Sequence, residues 1–375
     1  MHSLSPIHAA LFALAQGSGV PSPLQSIDRA ALAPVVEPVL AEANIPGVVV
    51  AIVRGKELLL LEAFGLREIA KKSPMRVEDL FQIGSVTKTF TAALLTQAAA
   101  KGELSLDDPL AQWLDDTHEL PEWAHDVTLQ QIATHTAGIP RDAPNRRNVP
   151  DSPSVAEPYS LEELYAALPS TRPIAAPGAR WSYSNLGFGL LGHVLERATG
   201  KRYEELLRER VFAPLGMSDS GIQPTAEQEA RLAPGYWFGD PEPVARPRWR
   251  FGEVCAFGGI FSSARDLSRY VTALLASGDA GPFTDATRSL LFTPQVDAQA
   301  GQKMGLAWFV DRPGKPDETI EHGGEVDSYS SDIVLRRDAH VGVIVLANRG
   351  GDSATRVCRA IQERVLPRLT APASR

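Results

Sequence analysis

The sequence predicts an α+β fold in which strands from both ends of the chain form one antiparallel sheet around a helical insertion. Two strand-like apolar runs come early, in residues 47–66. Three more come late, at residues 305–310, 330–337 and 340–348. Most of the sequence between them has helical spacing. A chain of 375 residues with 44% hydrophobic content can bury a large core and form two structural units.

Local signals define the individual elements. The early run "GVVVAIVRGKELLLLEAFGL" has two apolar halves joined at residues 54–56, which is typical of a hairpin. Residues 87–101 are rich in helix formers and predict a helix. The last two strands are joined by a short turn at residues 338–339. A final helix is predicted over residues 353–366.

Composition limits the expected function. The net charge of −8 gives no general attraction for nucleic acid or anionic membranes, which favours a small organic molecule as the ligand. Cys255 and Cys358 are the only cysteines, so the sequence allows at most one disulfide. We expect both thiols to be free.

The apolar run at residues 7–15 allows two interpretations. It ends in Ala-Leu-Ala, which a signal peptidase accepts, but no Lys or Arg precedes it, and a short N-terminal helix is favoured. No stretch reaches the ~20 apolar residues of a membrane span. We therefore expect a soluble, cytoplasmic protein, with export by a weak N-terminal signal and the oligomeric state left open.

A serine and a lysine three residues apart form the first candidate catalytic pair. In "IGSVTKTF", Ser85 stands at a predicted helix start and Lys88 lies one turn later on the same face. A serine hydroxyl needs a nearby base to become a nucleophile, and backbone N–H groups at a helix start can stabilise an oxyanion. For the motif taken alone, an N-cap serine followed by a solvated lysine is the favoured interpretation.

Two further motifs strengthen the catalytic interpretation. Tyr183-Ser184-Asn185 is the only Tyr-x-Asn in the chain and precedes a predicted helix. Its alternative role is a helix cap with a packed tyrosine. His322-Gly323-Gly324 stands where a late strand begins. A second His-x-Gly, at His340, follows a tight turn and is interpreted as hairpin surface.

In this order the three motifs resemble those of the penicillin-recognising serine hydrolases. This superfamily includes class C β-lactamases, D-Ala-D-Ala carboxypeptidases, D-aminopeptidases and β-lactamase-like esterases. The resemblance covers most of residues 44–348 and includes the segments "TLQQIATHTAGIP", "PGARWSYSNLGFGLLGHVLERATG", "VFAPLGMSDS" and "FGGIFSSARDLSRYV".

The resemblance implies a β-lactamase/transpeptidase-like fold, with an antiparallel sheet flanked by helices, an inserted all-helical domain and the active site in the groove. The α/β domain is then discontinuous and covers residues 25–90 and 250–370. Residues 91–249 form the mainly helical domain, and residues 1–24 are an N-terminal extension.

Catalytic roles follow from the resemblance by motif position. It implies that Ser85 is the nucleophile, that Lys88 shares its proton and that Tyr183 is the general base or acid. Asn185 is implied as a donor to the substrate or to Lys88. The backbone N–H groups of Ser85 and Glu325 are implied to form the oxyanion hole, because Glu325 directly follows His-Gly-Gly.

These roles imply acyl transfer in two steps. Ser85 attacks a carbonyl while Tyr183 and Lys88 pass its proton to the leaving group, and water or another nucleophile then releases the acyl-enzyme. This chemistry requires no metal or organic cofactor. The sequence also contains neither His-Glu-x-x-His nor Cys-x-x-Cys.

The late-strand motif departs from the β-lactamase pattern. β-Lactamases of this superfamily usually have Lys-Thr-Gly where this chain has His322, Gly323 and Gly324. An ordinary histidine pKa of ~6.5 leaves His322 mostly neutral at pH 7, and any grip on a carboxylate then weakens as the pH rises. Gly323 has no hydroxyl. Glu325 adds a possible anion for a substrate amine, although an exposed strand residue is the favoured interpretation.

We therefore expect a serine hydrolase of small-molecule esters, amides or peptides, either a β-lactamase-like esterase or a D-residue amidase or peptidase. The alternatives are a β-lactamase, an acyltransferase and a penicillin-binding sensor without turnover. Long loops at residues 141–159 and 223–253 are expected to border the site. In the second loop, Tyr236, Trp237 or Trp249 is expected to line the acyl pocket, with core packing as the alternative.

Overall fold

The computed structural model describes residues 27–114, 117–146, 158–237, 239, 244–279 and 281–370. Its strands are β1 (Gly47–Arg54), β2 (Glu57–Glu68), β3 (Ser73–Pro74), β4 (Phe81–Gln82), β5 (Gly235–Tyr236), β6 (Ala245–Arg246), β7 (Phe261–Ser262), β8 (Val296–Asp297), β9 (Lys303–Met304), β10 (Phe309–Asp311), β11 (Thr319–Val326), β12 (Tyr329–Arg336) and β13 (Val341–Ala347). Its α-helices are α1 (Arg29–Glu42), α2 (Thr87–Ala100), α3 (Trp123–Asp126), α4 (Leu129–Ala133), α5 (Leu161–Ala167), α6 (Asn185–Thr199), α7 (Tyr203–Leu207), α8 (Ala213–Leu215), α9 (Ala226–Arg231), α10 (Ala264–Leu275), α11 (Asp285–Phe292), α12 (Ser353–Arg364) and α13 (Leu366–Thr370).

Strands from both ends of the chain form the main sheet, as the sequence predicts. Within the described residues, nine strands pair in the order β3-β2-β1-β13-β12-β11-β10-β9-β8, each antiparallel to its neighbours. The early hairpin is confirmed. Arg54 pairs with Glu57, so Gly55 and Lys56 form its turn, and Gly55 has the positive φ of 56° that glycine tolerates.

The central strands of the sheet, β1, β12 and β13, are buried on both faces. Val48 and Val50 pack with apolar side chains of α1 and α12. The intervening Val49 and Ala51 point the other way and join the cluster that contains α2 and α10. Burial on both sides explains why β1 is a continuous apolar run without the alternation of a half-exposed strand.

The position of Ser85 depends on the turn that precedes α2. A 3₁₀ turn at Gly84–Val86 leads directly into this helix, which begins at Thr87. Gly84 has a φ of +50°, and a Cβ added to it would lie only 2.6 Å from the backbone nitrogen of Glu325. Glycine is therefore required at this position, and it lets the backbone before Ser85 pack against β11.

One predicted strand is wrong. Residues 305–310 do not form a single strand, because β9 ends at Met304 and β10 begins at Phe309. The N–H of Gly305 donates to the Trp308 carbonyl at 2.8 Å, which closes a local turn. Ala307 has a φ of +63° and donates its N–H to Ala133, at the end of α4. The hydrogen bond from Ala307 to Ala133, which is distant in sequence, therefore overrides the local preference of residues 305–310 for a strand.

Other predictions have different outcomes. α2 ends at Ala100, within one residue of its predicted end, whereas α12 ends at Arg364 rather than at residue 366. The predicted boundary between residues 90 and 91 falls inside α2, and the division into two domains stays a prediction.

The apolar run at residues 7–15 lies outside the described residues. Among the described helices, none combines the length and the apolar character needed to cross a bilayer.

Candidate active site

Ser85 and Lys88 are hydrogen-bonded to each other at the start of α2. The Lys88 Nζ lies 3.0 Å from Ser85 Oγ, 2.8 Å from Asn185 Oδ1 and 2.7 Å from the Phe257 carbonyl oxygen. The Lys88 side chain is completely buried. A lysine with no role in the site would extend its amine into water. Because Lys88 is buried, the interpretation as a solvated lysine does not hold.

The environment of Lys88 favours its neutral form. Burial, and then the positive charge of Arg141, lower the pKa of Lys88 well below its ordinary value, with Arg146 acting in the same direction. The negative charge of Asp142 opposes this shift. A neutral amine has a lone pair, so Lys88 can accept a proton from Ser85.

Tyr183 completes the hydrogen-bonded group around Ser85. Its hydroxyl forms a side-chain hydrogen bond with Ser85, and burial raises the pKa of Tyr183 well above its ordinary value. The hydroxyl is therefore protonated at neutral pH and available as a donor. The Tyr183 ring stacks on His135 with centroids 4.3 Å apart, and the Arg141 guanidinium lies 5.0 Å from its centroid. Ring contacts thus fix the hydroxyl in place.

Asn185 is the first residue of α6, and the helix-cap interpretation of its motif also holds. Ser184 is the N-cap, because its Oγ accepts from the N–H of Gly187 at 3.0 Å. This cap leaves the Asn185 side chain free to serve the site. Its Oδ1 accepts from Lys88, and its Nδ2 donates to Asp142 Oδ1 at 3.0 Å.

The backbone of Glu325 packs against the turn that carries Ser85, and both residues line the same cavity. Glu325 pairs with Ser330, one residue away from the two-residue turn of the β11–β12 hairpin. In such a hairpin the pair next to the turn is hydrogen-bonded and the following pair is not, so the Glu325 N–H faces away from β12. Gly84 packs against this edge.

The structure overturns the prediction of an ordinary pKa for His322. Burial is the main cause that lowers the pKa of His322 to about 3, and protonation of the nearby Lys88 would act in the same direction. The ring is 2% exposed and lies 2.6 Å, through Nδ1, from the Gly323 carbonyl, which can only accept. His322 is therefore neutral across the physiological range and carries no charge to lose near pH 6.5.

The other residues of this strand segment have distinct positions. Gly324 packs so closely against the turn before Ser85 that an added Cβ would collide with the Ile83 carbonyl. Gly323 is on the opposite face and exposed, with Thr355 of α12 as its nearest side chain. Glu325 is also exposed, and its carboxylate accepts from the Gly351 N–H at 3.0 Å. The exposed-residue interpretation of Glu325 therefore describes its side chain.

A cavity of about 220 Å³ opens at Ser85. It is lined by two arginines, three carboxylates and three aromatic rings as well as by the predicted residues: Ser85, Arg141, Asp142, Arg146, Asn185, Trp249, Phe251, Phe257, Gly258, Glu325, Val326 and Asp327. A larger cleft of about 470 Å³ lies between β11, β12 and α12 and does not include Ser85. Chemistry rather than size therefore identifies the site.

The three aromatic residues predicted for the acyl pocket have different positions. Trp249 lines the cavity. Tyr236 is buried in β5, where its hydroxyl accepts from the Ile69 N–H at 2.9 Å, and it belongs to the core. Trp237 is not among the residues that line the cavity, and its ring lies 5.8 Å from the Arg246 guanidinium.

Sequence reasoning missed several residues of the site. Asp142 and Arg146 fall in a loop expected to border the site, but their i,i+4 spacing shows only that they can form an ion pair. His135 accepts the Ser184 N–H at 3.0 Å and has a φ of +59°. Such a backbone conformation in a non-glycine residue is uncommon, and no sequence pattern signals it.

The fold and this site define a protein with the β-lactamase/transpeptidase-like architecture. Residues 32–366 match the sequence model of the Beta-lactamase family, and the chain belongs to this family. A β-lactamase of Escherichia coli strain K12 is 27% identical over 87% of this chain and 90% of its own length. Esterase EstB of Burkholderia gladioli is 35% identical, but the match spans only 58% of either chain.

Solved structures show the same architecture. A class C β-lactamase from Rhodobacter sphaeroides superposes with a TM-score of 0.75 at 25% identity and covers 89% of this chain and 99% of its own. The octameric penicillin-binding protein homologue from Pyrococcus abyssi has a TM-score of 0.79, also at 25% identity, over 91% of this chain and 77% of its own. These relatives have different activities, so family membership alone leaves the substrate to be argued from the site.

Proposed function

We propose that this protein is a serine hydrolase that cleaves an ester or amide bond through an acyl-enzyme on Ser85. The observation that carries the proposal is the 3.0 Å contact between Ser85 Oγ and a buried Lys88 whose pKa is lowered. A serine with a proton acceptor on one side and a hydroxyl donor on the other has the groups that nucleophilic catalysis needs. The membership of the chain in the Beta-lactamase family supports nucleophilic catalysis by a serine.

Acylation follows from the arrangement of these groups. Ser85 Oγ attacks the substrate carbonyl and transfers its proton to the neutral amine of Lys88. The N–H groups of Ser85 and Glu325 stabilise the oxyanion that forms on the carbonyl oxygen. The bond between the carbonyl carbon and the leaving group then breaks as Tyr183, which is protonated, donates its hydroxyl proton to the leaving group and regains one from Lys88.

Deacylation reverses these proton transfers. Lys88, which is neutral again after returning a proton to Tyr183, takes a proton from water as the water attacks the acyl-enzyme carbonyl. The bond between that carbon and Ser85 Oγ breaks, and the serine oxygen recovers a proton from Lys88. The product is a carboxylic acid, and the enzyme returns to its starting protonation state.

The residues on β11 favour a neutral ester or amide as substrate. A neutral His322 and the hydroxyl-free Gly323 replace the lysine and threonine that hold a carboxylate in related β-lactamases. A fixed carboxylate gains most from charge-assisted hydrogen bonds, which this strand does not offer. The likeness to an esterase over part of the chain agrees with this choice. A β-lactamase is the second candidate, because the E. coli relative matches nearly the whole chain.

One substrate panel tests the proposal. Purified protein and the variant Ser85→Ala are compared on p-nitrophenyl esters, D- and L-aminoacyl anilides and a chromogenic cephalosporin. We expect sustained ester turnover by the parent and none by the variant. A single stoichiometric burst without turnover would support a penicillin-binding sensor, and faster cephalosporin than ester cleavage would support a β-lactamase. Equal activity of parent and variant would refute the role of Ser85.

A further inference from the structure

A chain of polar contacts runs from the loop at the rim of the cavity to the nucleophile. Asp142 Oδ1 accepts from Asn185 Nδ2 at 3.0 Å and from Arg146 Nη1 at 3.1 Å. Asn185 Oδ1 in turn accepts from Lys88 Nζ, which contacts Ser85 Oγ. Asp142 has no hydrogen bond to Ser85 or Lys88 among the described residues, so its hydrogen-bonded link to them runs through Asn185.

The orientation of the Asn185 amide determines what Lys88 encounters. An amide presents an acceptor at its oxygen and two donors at its nitrogen, and a 180° flip exchanges them. Lys88 bonds to the oxygen only if the nitrogen faces away. Because the Asp142 carboxylate can only accept, it fixes the nitrogen on its own side. The flipped amide would place its oxygen against the carboxylate and its N–H groups against Lys88.

The backbone holds Asp142 in register with Asn185. The N–H groups of Asn185 and Leu186 both donate to the Arg141 carbonyl, at 2.7 and 3.0 Å. The loop is therefore attached to the first turn of α6 directly beside Asp142. This attachment places the carboxylate opposite the Asn185 side chain.

Arg146 supplies the charge that lets the Asp142 carboxylate remain in a partly buried position. The Arg146 side chain is 13% exposed, and its guanidinium lies 4.5 Å from the Phe257 ring centroid and 5.2 Å from that of Trp249. The carbonyl of Phe257 also accepts from Lys88. Arg146 thus packs against a residue whose backbone holds the catalytic amine, and cation–π contacts stabilise this position.

We propose that Asp142, held by Arg146, is a positioning residue that orients Asn185 toward Lys88. The inference rests on the proposed acyl-enzyme reaction and adds to it the group that fixes the geometry of the proton acceptor. Asp142 and Arg146 also act on the pKa of Lys88, which Asp142 raises and Arg146 lowers. Around this amine stand the carboxylate of Asp142 and the guanidinium groups of Arg141 and Arg146, together with the hydroxyl of Tyr183 and two neutral histidines, His135 and His322.

The variant Asp142→Asn tests the inference because it keeps the shape and removes the charge. Its amide can also turn, so Asn185 loses a partner that only accepts. We expect kcat for a p-nitrophenyl ester to fall roughly 10- to 100-fold, the scale of a misplacement of about 1 Å, with KM nearly unchanged. The acid limb of the kcat/KM profile should move to lower pH, because the carboxylate no longer raises the pKa of Lys88.

The double variant Asp142→Asn/Arg146→Gln separates charge from geometry, because it also removes the buried guanidinium that Asp142→Asn leaves without its carboxylate. Its two charge effects on Lys88 oppose each other, so the acid limb should return toward that of the parent while kcat stays low. The control is Asp352→Asn, which breaks the i,i+4 pair with Arg356 on α12 (Nε–Oδ2, 2.9 Å). It should leave kcat and the pH profile unchanged.

The outcomes distinguish this inference from the proposed function. If a serine-directed phosphonate labels Ser85 and the parent turns over esters, but both Asp142 variants keep the parent kcat and pH profile, the positioning role is wrong and the acyl-enzyme stands. If the folded parent neither turns over esters nor takes the label at Ser85, the proposed function fails and the inference fails with it. A loss of kcat with the two opposite shifts of the acid limb supports the inference.

Discussion

Replacing Tyr183 by phenylalanine tests the proton donor with the least change to the structure. Phenylalanine keeps the ring that stacks on His135 at 4.3 Å and lies 4.8 Å from Lys88 Nζ. The variant loses the hydroxyl that is hydrogen-bonded to Ser85. Packing around the ring, and with it the Tm, should change little.

The expected loss follows from the role of the hydroxyl. General acid–base catalysis by a positioned group contributes about 10²- to 10⁴-fold, which corresponds to roughly 2.7–5.5 kcal/mol of transition-state stabilisation. A structural hydroxyl in one neutral hydrogen bond contributes only about 0.5–1.5 kcal/mol, and to stability rather than to rate. The two roles therefore differ in both the size of the effect and the quantity that changes.

The assay is steady-state hydrolysis of a p-nitrophenyl ester, with thermal unfolding measured on the same samples. Tyr203→Phe is the matched control, because Tyr203 is also buried and its hydroxyl lies 2.7 Å from Thr91 Oγ1, away from the cavity. The control should lose stability and keep kcat. A fall in kcat/KM of less than about tenfold for Tyr183→Phe, worth ~1.4 kcal/mol, would remove Tyr183 from the mechanism.

Three further predictions concern other parts of the site. Ser85→Ala should lower kcat by roughly three to six orders of magnitude with little change in Tm, and a serine-directed phosphonate should label the Ser85 peptide of the parent alone, as checked by mass spectrometry. The free energy of unfolding should fall as the pH drops from about 6.5 toward 3, because His322 stays neutral in the folded state while the unfolded chain takes up a proton. In chemical denaturation, His322→Gln should make the free energy of unfolding less dependent on pH. The same dependence in parent and variant would contradict the burial of a neutral ring. Trp249→Ala should shift the chain-length preference among esters, whereas Trp237→Ala should not, and the reverse result would show that the wrong tryptophan has been assigned to the pocket.

Local patterns made much of the fold predictable. The β1–β2 hairpin is encoded by two adjacent apolar runs with a glycine between them, and α2 by a run of helix formers. Helical spacing places Lys88 on the same face as Ser85, but the spacing alone favours a solvated lysine, and it is the two further motifs that indicate a contact. Each of these elements depends on residues close together in the sequence, so local patterns are enough to predict where the elements lie.

Long-range packing determines the features that the sequence could not reveal. The pKa of His322 depends on its burial and on Lys88, which lies on another element. The contact between Asp142 and Asn185 joins a loop to a helix start more than forty positions away. Ala307 interrupts a strand-like run because its N–H bonds to Ala133. In each case the deciding partner is distant in sequence and carries no local signature.

The pairing of β1 with β13 has a consequence for biosynthesis. Arg54 pairs with Val341, so the ribosome must add roughly 290 residues after β1 before its partner exists. At about 5–20 residues per second this interval lasts on the order of 15–60 s. During that time β1, which is apolar on both sides, is paired with β2 along one edge and has an open edge along the other, a surface on which nascent chains aggregate. We therefore expect this edge to be the part of the nascent chain most prone to aggregation until β13 emerges.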